Sequence, residues 1–189
     1  MLFIGLGNPG NEYHETRHNA GFTVLDKLAK RLALKFRKPF FKNYLIAKGF
    51  HLGEPLIFIK PLTYMNNSGL VLGYLPSKYF QKDNSMVIIC DNMDLSTGEC
   101  RIKTKGSITG HNGLSSIIKY YGSDNFIRIY VGISRPKPGT SIISHVLSKP
   151  DINEQDIFQR GAERASHAAE ALFSSNVQRV MNEYNRRNN

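Results

Sequence analysis

Cysteine and long hydrophobic runs are both scarce in this chain. Its 189 residues include two cysteines, Cys90 and Cys100, which excludes a disulfide framework and a four-cysteine zinc site. No apolar run reaches the roughly 18–20 residues that cross a bilayer, and the N-terminus lacks the basic and apolar regions of a signal peptide. We therefore expect a cytoplasmic protein that does not span a membrane.

Acidic residues are also scarce: 15 Asp+Glu stand against 25 Lys+Arg, a net charge of +10. Residues 1–150 hold 20 basic and 9 acidic residues, a net of +11, whereas residues 151–189 hold 5 and 6, a net of −1. Segments 27–53 and 100–123 have no acidic residue at all. Such a surface attracts polyanions, nucleic acid above all, although a solvated surface without a partner has the same composition.

Short apolar runs alternate with helical patterns along the chain, whose length suits one domain of roughly 100–200 residues. Strands are predicted at Leu2–Leu6, Asn43–Phe50, Pro55–Lys60, Met86–Cys90, Glu99–Lys105 and Phe126–Ile133. Helices are predicted after Asn19, at Leu70–Leu75, from Asn112 as a capping residue, and at 153–173 and 176–185. Since the second and third strands form a hairpin, we expect an α/β fold with a mixed sheet, as a single domain over residues 1–189.

The segment Gly5-Leu6-Gly7-Asn8-Pro9-Gly10 follows a strand and matches the dinucleotide-binding pattern G-x-G-x-x-G. That site needs a helix that begins within the motif, so that its N-terminus faces the pyrophosphate. Here a mostly polar stretch, 11–19, comes first, and Asp26 lies inside a predicted helix rather than at a strand end. The pattern therefore favours a tight turn that lets Asn8 approach a ligand.

The segment His14-Glu15-Thr16-Arg17-His18 matches H-E-x-x-H, the motif of zinc proteases. That chemistry needs both imidazoles on one face of a continuous helix, together with a third ligand. This segment follows a Pro-Gly turn, and no third ligand follows at a helical spacing. A surface position suits His14, whereas His18 stands in a polar cluster where a loop meets a helix.

Polar side chains gather where predicted strands end or helices begin. Asn8 and Asp91 follow strands, His18 precedes the first helix, and Asn66 and Asn112 lie in similar loops. Ligands of open α/β sheets bind beyond the carboxyl ends of the strands. Each asparagine alone is typical of a turn or a cap, but the set suits hydrolysis. A neutral imidazole takes a proton from water, a carboxylate stabilises the imidazolium, and amide N–H groups hold a carbonyl oxygen that gains negative charge.

Motifs along nearly the whole chain resemble, in order, those of the bacterial peptidyl-tRNA hydrolases. The matching segments are Gly5–Gly10 with Tyr13 and Thr16–Gly21, Lys60-Pro61 with Thr63–Gly69, Asp91–Asp94, Gly110–Leu114, Val131–Ile133 before Arg135-Pro136, and His145–Leu147 near Lys149. The resemblance implies a single α/β domain with a twisted mixed sheet flanked by helices, in a monomer without metal or cofactor. The implied reaction hydrolyses the ester that joins a peptide to the 3′ ribose of tRNA, which releases the tRNA for reuse in translation.

The resemblance also implies a role for each site residue. His18 is the general base that activates water, Asp91 stabilises its productive state, and Asn8 helps to distinguish peptidyl-tRNA from free aminoacyl-tRNA. The residues that bind the substrate end are Tyr13, Tyr64, Asn66 and Asn112, of which Asn66 and Asn112 also position water or the carbonyl group. Lys103 matches a position that contacts tRNA phosphate.

The chain departs from the family pattern at three places. Tyr130 stands where the family usually has a second phosphate-binding arginine, and we expect the nearby Arg128 or Arg135 to replace it. The approach to the His111 motif, Lys105–Gly110, is less rich in glycine than usual, and Cys90 replaces a polar residue. The basic segment 27–53 matches no implied role.

Two other functions fit parts of the sequence. One is an RNA-binding module without catalysis, suggested by the two acid-free basic segments. The other is a zinc peptidase that uses His14, Glu15 and His18. Cleavage of the ester would distinguish the hydrolase from an RNA-binding module. Activity that a chelator leaves unchanged would exclude the zinc peptidase.

Overall fold

The apolar runs of the sequence form a six-stranded sheet in a computed structural model that describes residues 1–51, 53–80, 86–106 and 110–186. The strands are β1 Leu2–Gly5, β2 Tyr44–His51, β3 Glu54–Pro61, β4 Met86–Asn92, β5 Cys100–Lys103 and β6 Ile127–Gly132. The α-helices are α1 Ala20–Arg31, α2 Asn112–Tyr121, α3 Ile142–Leu147, α4 Ile152–Ala171 and α5 Val177–Tyr184. Four 3₁₀ helices cover Asn11–Tyr13, Arg17–Asn19, Met65–Tyr74 and Ser77–Tyr79 among the described residues.

The strand order is β2-β3-β1-β4-β6-β5. The four central strands, β3, β1, β4 and β6, are mutually parallel, and β2 and β5 pair antiparallel at the two edges. The predicted α/β fold with a mixed sheet is confirmed. Strands β1 and β4 have almost no polar residues because parallel strands in the middle of a sheet are buried on both faces.

Helices cover both faces of the sheet. Helices α1, α4 and α5 pack on one face, in a core that includes Phe3 and Phe158. Helix α2 and the 3₁₀ helix Met65–Tyr74 pack on the other face, where Leu114 and Ile117 are fully covered. Burial of these side chains contributes about 25 cal/mol per Å² of apolar surface removed from water, and it fixes the loops that join strand ends to helices.

Two predicted elements differ from the observed ones. The helix expected at Leu70–Leu75 is part of the longer 3₁₀ helix Met65–Tyr74. Gly69 and Gly73 interrupt it, and glycine disfavours the α-helix by about 1 kcal/mol relative to alanine. The strand expected at Glu99–Lys105 is shorter, Cys100–Lys103.

Helix α1 lies against the end of the sheet without intervening side chains. A Cβ atom on Gly21 would overlap the main-chain oxygen of Ile89 and would lie 2.6 Å from that of Leu6. Only glycine therefore allows this approach. The contact brings the residues just before α1, which include His18, over the carboxyl end of β4, where Asp91 lies.

Candidate active site

The centre of the site is a carboxylate between two imidazoles. Asp91 Oδ1 lies 2.8 Å from His18 Nδ1 and 3.2 Å from His111 Nε2. Three elements bring these groups together: the 3₁₀ helix Arg17–Asn19, strand β4 and the N-terminus of α2. The two rings lie 5.1 Å apart, centroid to centroid. His18 and Asp91 were expected as partners from the sequence, whereas no role was expected for His111.

The hydrogen bonds assign a tautomer to His111. Its Nδ1 accepts the main-chain N–H of Leu114 at 3.3 Å, so the ring proton lies on Nε2 and points to Asp91. His111 is therefore a neutral donor that holds the carboxylate in place. It is also the capping residue of α2. The sequence predicts Asn112 as that cap, which is wrong, because the imidazole nitrogen of the preceding residue occupies the capping position.

The charge on Asp91 is stabilised although the residue is only 3% exposed. Burial by itself raises the pKa of Asp91, but its electrostatic and hydrogen-bond interactions with His18 and His111 outweigh burial and hold that pKa far below its usual range. For His18, burial opposes the charged form, yet the charge and hydrogen bond of Asp91 prevail and raise its pKa above 6.5. Because Nδ1 of His18 donates to the carboxylate, Nε2 is left to accept a proton.

A cavity of about 330 Å³ opens beside the two imidazoles. Asn112 lines it together with His18, Asp91 and His111. The apolar part of its wall is formed by Met93, Leu114, Tyr130, Ile142, Ile143 and Val146, and Asn92, Asp94, Gly110 and Arg135 complete the lining. A cavity that combines polar groups with apolar walls suits a ligand that carries both a polar reacting group and apolar groups.

Asn8 is held on both its main chain and its side chain. Asn19 Oδ1 accepts the Asn8 main-chain N–H at 2.8 Å, and Asn19 Nδ2 donates to the Asn8 carbonyl oxygen at 3.0 Å. Asn8 Oδ1 accepts the main-chain N–H of Met65 at 2.8 Å. These bonds leave the Asn8 Nδ2 group free, among the described residues, to donate to a ligand carbonyl. Asn19 precedes a helix, as the sequence predicts, and its side chain also orients Asn8.

Met65 connects the Asn8 loop to the α2 loop. A Cβ atom on Gly113 would lie 2.5 Å from Met65 Sδ and 3.1 Å from His111 Cε1, so these side chains lie close together around a glycine. Asn66, the next residue, is exposed at the start of the 3₁₀ helix, as Asn112 is at the start of α2. The structure therefore places these two exposed amides on adjacent elements.

Tyr13 and Tyr64 form a separate aromatic pair. Their rings meet edge to face with centroids 6.4 Å apart. Tyr64 is 59% exposed and immediately precedes the 3₁₀ helix Met65–Tyr74. Neither tyrosine lines the cavity, so the pair adjoins the Asn66 end of the site rather than the His18 end.

Arg17 anchors the loop that carries His18. Its guanidinium, 7% exposed, forms an ion pair of 2.6 Å with Glu154 of α4. It also donates to Ser148 Oγ at 2.8 Å and to the carbonyl oxygen of Lys149 at 2.7 Å. Because these partners lie beyond the cavity wall formed by α3, one buried side chain fixes both the His18 loop and the end of that wall.

The expected phosphate contacts separate into buried and exposed residues. Lys103 is exposed on the edge strand β5 and does not line the cavity. Arg128 is 0% exposed and donates to the carbonyl oxygens of residues 104, 124 and 126, so the expectation that it contacts phosphate is wrong. Its burial follows from its place in a central strand, whose side chains are covered on both faces. Arg135 is exposed and lines the cavity, but it pairs with Asp94 at 2.5 Å. Tyr130 is buried in the cavity wall.

Neither the G-x-G-x-x-G segment nor the H-E-x-x-H segment forms the site that its pattern suggests. After Gly10 the chain forms the short 3₁₀ helix Asn11–Tyr13, and α1 begins only at Ala20, so no helix begins within the glycine motif, as a dinucleotide site requires. His14 is 73% exposed, and His18 lies in a different short helix. The H-E-x-x-H segment therefore lacks the continuous helix of zinc proteases.

The sequence singles out the loop before His111, Lys105–Gly110, as a departure from the family pattern. Residues 107–109 of this loop lie outside the described residues.

His18, Asp91 and His111 could together offer a metal ion three ligand atoms, all within 4.8 Å of one another. The distances of 2.8 and 3.2 Å to Asp91 Oδ1 are those of direct hydrogen bonds, however. A proton on each facing nitrogen accounts for this geometry, so the trio is arranged as a hydrogen-bonded acid–base group.

No described helix is both long enough and apolar enough to span a bilayer.

Comparison with known proteins gives one consistent result. The profile of the family described as peptidyl-tRNA hydrolase matches residues 2–189. The chain is 40% identical to the peptidyl-tRNA hydrolase of Bacillus subtilis over 185 residues, which cover 98% of each chain. It is also 40% identical to that of Lactococcus lactis over 187 residues, 97% of this chain and 98% of the relative.

The solved structures agree with the sequence relatives. The crystal structure of peptidyl-tRNA hydrolase from Acinetobacter baumannii superposes with a TM-score of 0.87 at 35% identity, and the match covers 97% of this chain and 93% of the other. The family profile, the sequence relatives and this solved structure each match nearly the whole chain. The chain belongs to the peptidyl-tRNA hydrolase family.

Proposed function

We propose that His18 is the general base in the hydrolysis of peptidyl-tRNA, the reaction of this family. The observation that carries the proposal is the 2.8 Å bond between His18 Nδ1 and Asp91 Oδ1, which leaves Nε2 free to take a proton. The charge and hydrogen bond of Asp91 raise the pKa of His18, which makes it a stronger base than a free imidazole.

The reaction proceeds by attack of water on the ester. His18 Nε2 takes a proton from water as the oxygen attacks the carbonyl carbon, and the carbonyl electron pair moves to its oxygen. The Nδ2 groups of Asn8 and Asn112 donate to that oxygen as it gains charge. The intermediate then collapses, the 3′ oxygen of the ribose leaves and takes the proton from the imidazolium, and the products are a peptide acid and free tRNA. Asp91 stabilises the imidazolium between the two steps.

The rest of the substrate binds around this centre. The apolar walls formed by Met93, Ile142 and Ile143 suit peptide side chains. Asn8 lies at the acyl end and discriminates an acylated amino group from a free one. The residues that bind the terminal nucleotides are Tyr13, Tyr64, Asn66 and Asn112, and Lys103 contacts phosphate outside the cavity. The protein acts without a cofactor, as a monomer in the cytoplasm, where tRNA is used.

The test measures release of tRNA from N-acetyl-aminoacyl-tRNA by the His18→Ala variant. Loss of a positioned base lowers kcat by roughly 10²–10⁴-fold, while circular dichroism stays unchanged because His18 lies in a three-residue 3₁₀ helix outside the sheet and the α-helices. His14→Ala is the matched control, since that histidine is exposed in the same motif. Full activity of His18→Ala contradicts the proposal. Tight tRNA binding by the wild type without ester cleavage identifies an RNA-binding module, and inhibition by a chelator identifies metal chemistry.

A further inference from the structure

A groove of about 430 Å³ at the β2 edge of the sheet lies away from the active site. We call it the basic groove, and it is lined by Ala33, Leu34, Lys35, Arg37, Ile46 and Lys48. Three of these six side chains are cationic and none is acidic. All three cations lie in segment 27–53, the acid-free segment that matches no role implied by the family resemblance.

The backbone holds these cations together. Arg37 and Ile46 exchange two main-chain hydrogen bonds of 2.9 Å, so the chain before Arg37 runs antiparallel to β2. In that register Lys35 comes opposite Lys48. Like charges directly opposite each other across such a pair destabilise it. The register therefore brings two exposed cations onto adjacent chain segments, where one anion can contact both.

The cations of the basic groove are available to a ligand. Lys27 and Arg31, in the same acid-free segment, form ion pairs with Glu163 of α4. By contrast, Lys35, Arg37 and Lys48 are exposed and form no ion pair within the described residues. No acidic side chain of the described residues therefore competes with an anion for these three cations.

The position of the groove indicates a long anion. Strand β2 lies at one edge of the sheet and β5, with Lys103, at the other. Five strand spacings of about 4.8 Å separate the edges by roughly 24 Å. Side-chain alternation places Lys48 and Lys103 on the same face of the sheet. Ile46, two residues before Lys48, packs partly buried against the core on that face, and Ile102, next to Lys103, is buried in the opposite core. A nucleic-acid strand carries a phosphate about every 3.4 Å, so a short helical segment spans this distance.

We propose that the basic groove binds backbone phosphates of the tRNA body, away from the peptidyl end, as a second contact with the substrate. This inference rests on the proposed function, since it assigns the groove to the same substrate. The nearby Phe40 and Phe41, 84% and 88% exposed, would also suit an anionic membrane surface. RNA is favoured because the family already acts on a long polyanion and because the cations line a concave groove.

The test compares two substrates in the triple variant Lys35→Gln, Arg37→Gln, Lys48→Gln. One is full-length N-acetyl-aminoacyl-tRNA, and the other is the same N-acetyl-aminoacyl group on a CCA trinucleotide, which is too short to reach the groove. We expect KM for the full-length substrate to rise on the order of tenfold at low salt with kcat unchanged. The kinetics of the trinucleotide substrate stay at the wild-type values. The slope of log KM against log salt concentration for the full-length substrate falls by about 2–3.

The matched control is Lys78→Gln, Arg160→Gln, Arg179→Gln, which removes three exposed cations outside the groove. An equal rise in KM in both variants, or an unchanged KM in the groove variant, overturns the proposal. Loss of binding to anionic phosphatidylserine vesicles with an unchanged KM assigns the groove to a membrane instead. If the proposed function is wrong, the wild type cleaves neither substrate. That outcome is distinguishable from failure of the groove proposal, in which the wild type cleaves both. If neither substrate is cleaved, direct titration with uncharged tRNA still tests the groove through its dissociation constant.

Discussion

His18 and His111 donate to the same carboxylate oxygen, at 2.8 and 3.2 Å, with their rings 5.1 Å apart. Although both are imidazoles, their surroundings give them different tasks. His111 accepts a main-chain N–H on its other nitrogen and is therefore fixed as a neutral donor. The other nitrogen of His18 accepts no hydrogen bond from any residue that the structure describes, so it can exchange protons with a substrate. The shared oxygen belongs to Asp91, whose position decides the orientation of both rings.

The first prediction concerns pH. Because the pKa of His18 is raised above 6.5 and the base must be neutral to act, kcat/KM falls as pH drops through that raised pKa. The Asp91→Asn variant removes the charge that raises the pKa, while burial, which lowers it, remains. We therefore expect the acid limb of the profile to move to lower pH and the plateau to fall by roughly 10²–10⁴-fold. The measurement is kcat/KM for N-acetyl-aminoacyl-tRNA from pH 5 to 9.

Asp94→Asn is the control for that profile, since Asp94 also lines the cavity but pairs with Arg135. Its acid limb is expected at the wild-type pH. An acid limb that stays in place in Asp91→Asn would show that the titrating base is not His18.

The second prediction concerns Asn19. Asn19→Ala removes both hydrogen bonds to the Asn8 main chain and leaves a buried N–H and a buried C=O without partners. Each such group costs about 1–3 kcal/mol of stability. We expect lower unfolding free energy and a kcat reduced nearly as much as in Asn8→Ala, because the Asn8 amide loses its orientation. Asn19→Asp keeps the acceptor and should fall between the wild type and Asn19→Ala. A destabilised Asn19→Ala with wild-type kcat would limit Asn19 to a structural role.

Much of the fold and part of the site could be predicted from local sequence patterns. Apolar runs identified β1 and β4 because central parallel strands are buried on both faces. Asp91 and Asn8 were identifiable because they end such strands, where open α/β sheets bind ligands. In these cases the residue and its role are set by neighbours in the sequence.

The missed features depend on contacts between distant segments. His111 and Asn19 look like ordinary residues at helix beginnings, and their partners, Asp91 and Asn8, lie 20 and 11 positions away. Arg128 looks like a surface cation, and only the sheet order, which places β6 between β4 and β5, shows that it is buried. A single sequence carries no signal for these pairings.

The third prediction concerns Gly69. A Cβ atom there would overlap the Ser116 carbonyl oxygen and lie 2.6 Å from its carbonyl carbon, both of which belong to the main chain of α2. Gly69→Ala should therefore push α2 away from the 3₁₀ helix, at a cost of about 1–3 kcal/mol. Since these elements carry Asn112 and Asn66, we expect KM to rise more than kcat falls. Gly73→Ala is the control in the same helix, because no atom lies within 4 Å of its added Cβ. Thermal unfolding and steady-state kinetics of both variants measure the effect, and equal stability of the two would contradict the argument.

The last prediction concerns Lys103. This side chain is exposed on β5, outside the cavity, so its expected partner is a phosphate rather than the ester. A lysine that neutralises one phosphate contributes about 0.9 to the slope of log affinity against log salt concentration for a duplex. We therefore expect Lys103→Gln to raise KM for N-acetyl-aminoacyl-tRNA at low salt, with kcat unchanged, and to reduce the salt slope of KM by about 1. Lys78→Gln, on the 3₁₀ helix Ser77–Tyr79, serves as the exposed control and should keep the wild-type slope. If Lys103→Gln lowers kcat at every salt concentration instead, Lys103 acts through the active-site structure and not through a phosphate.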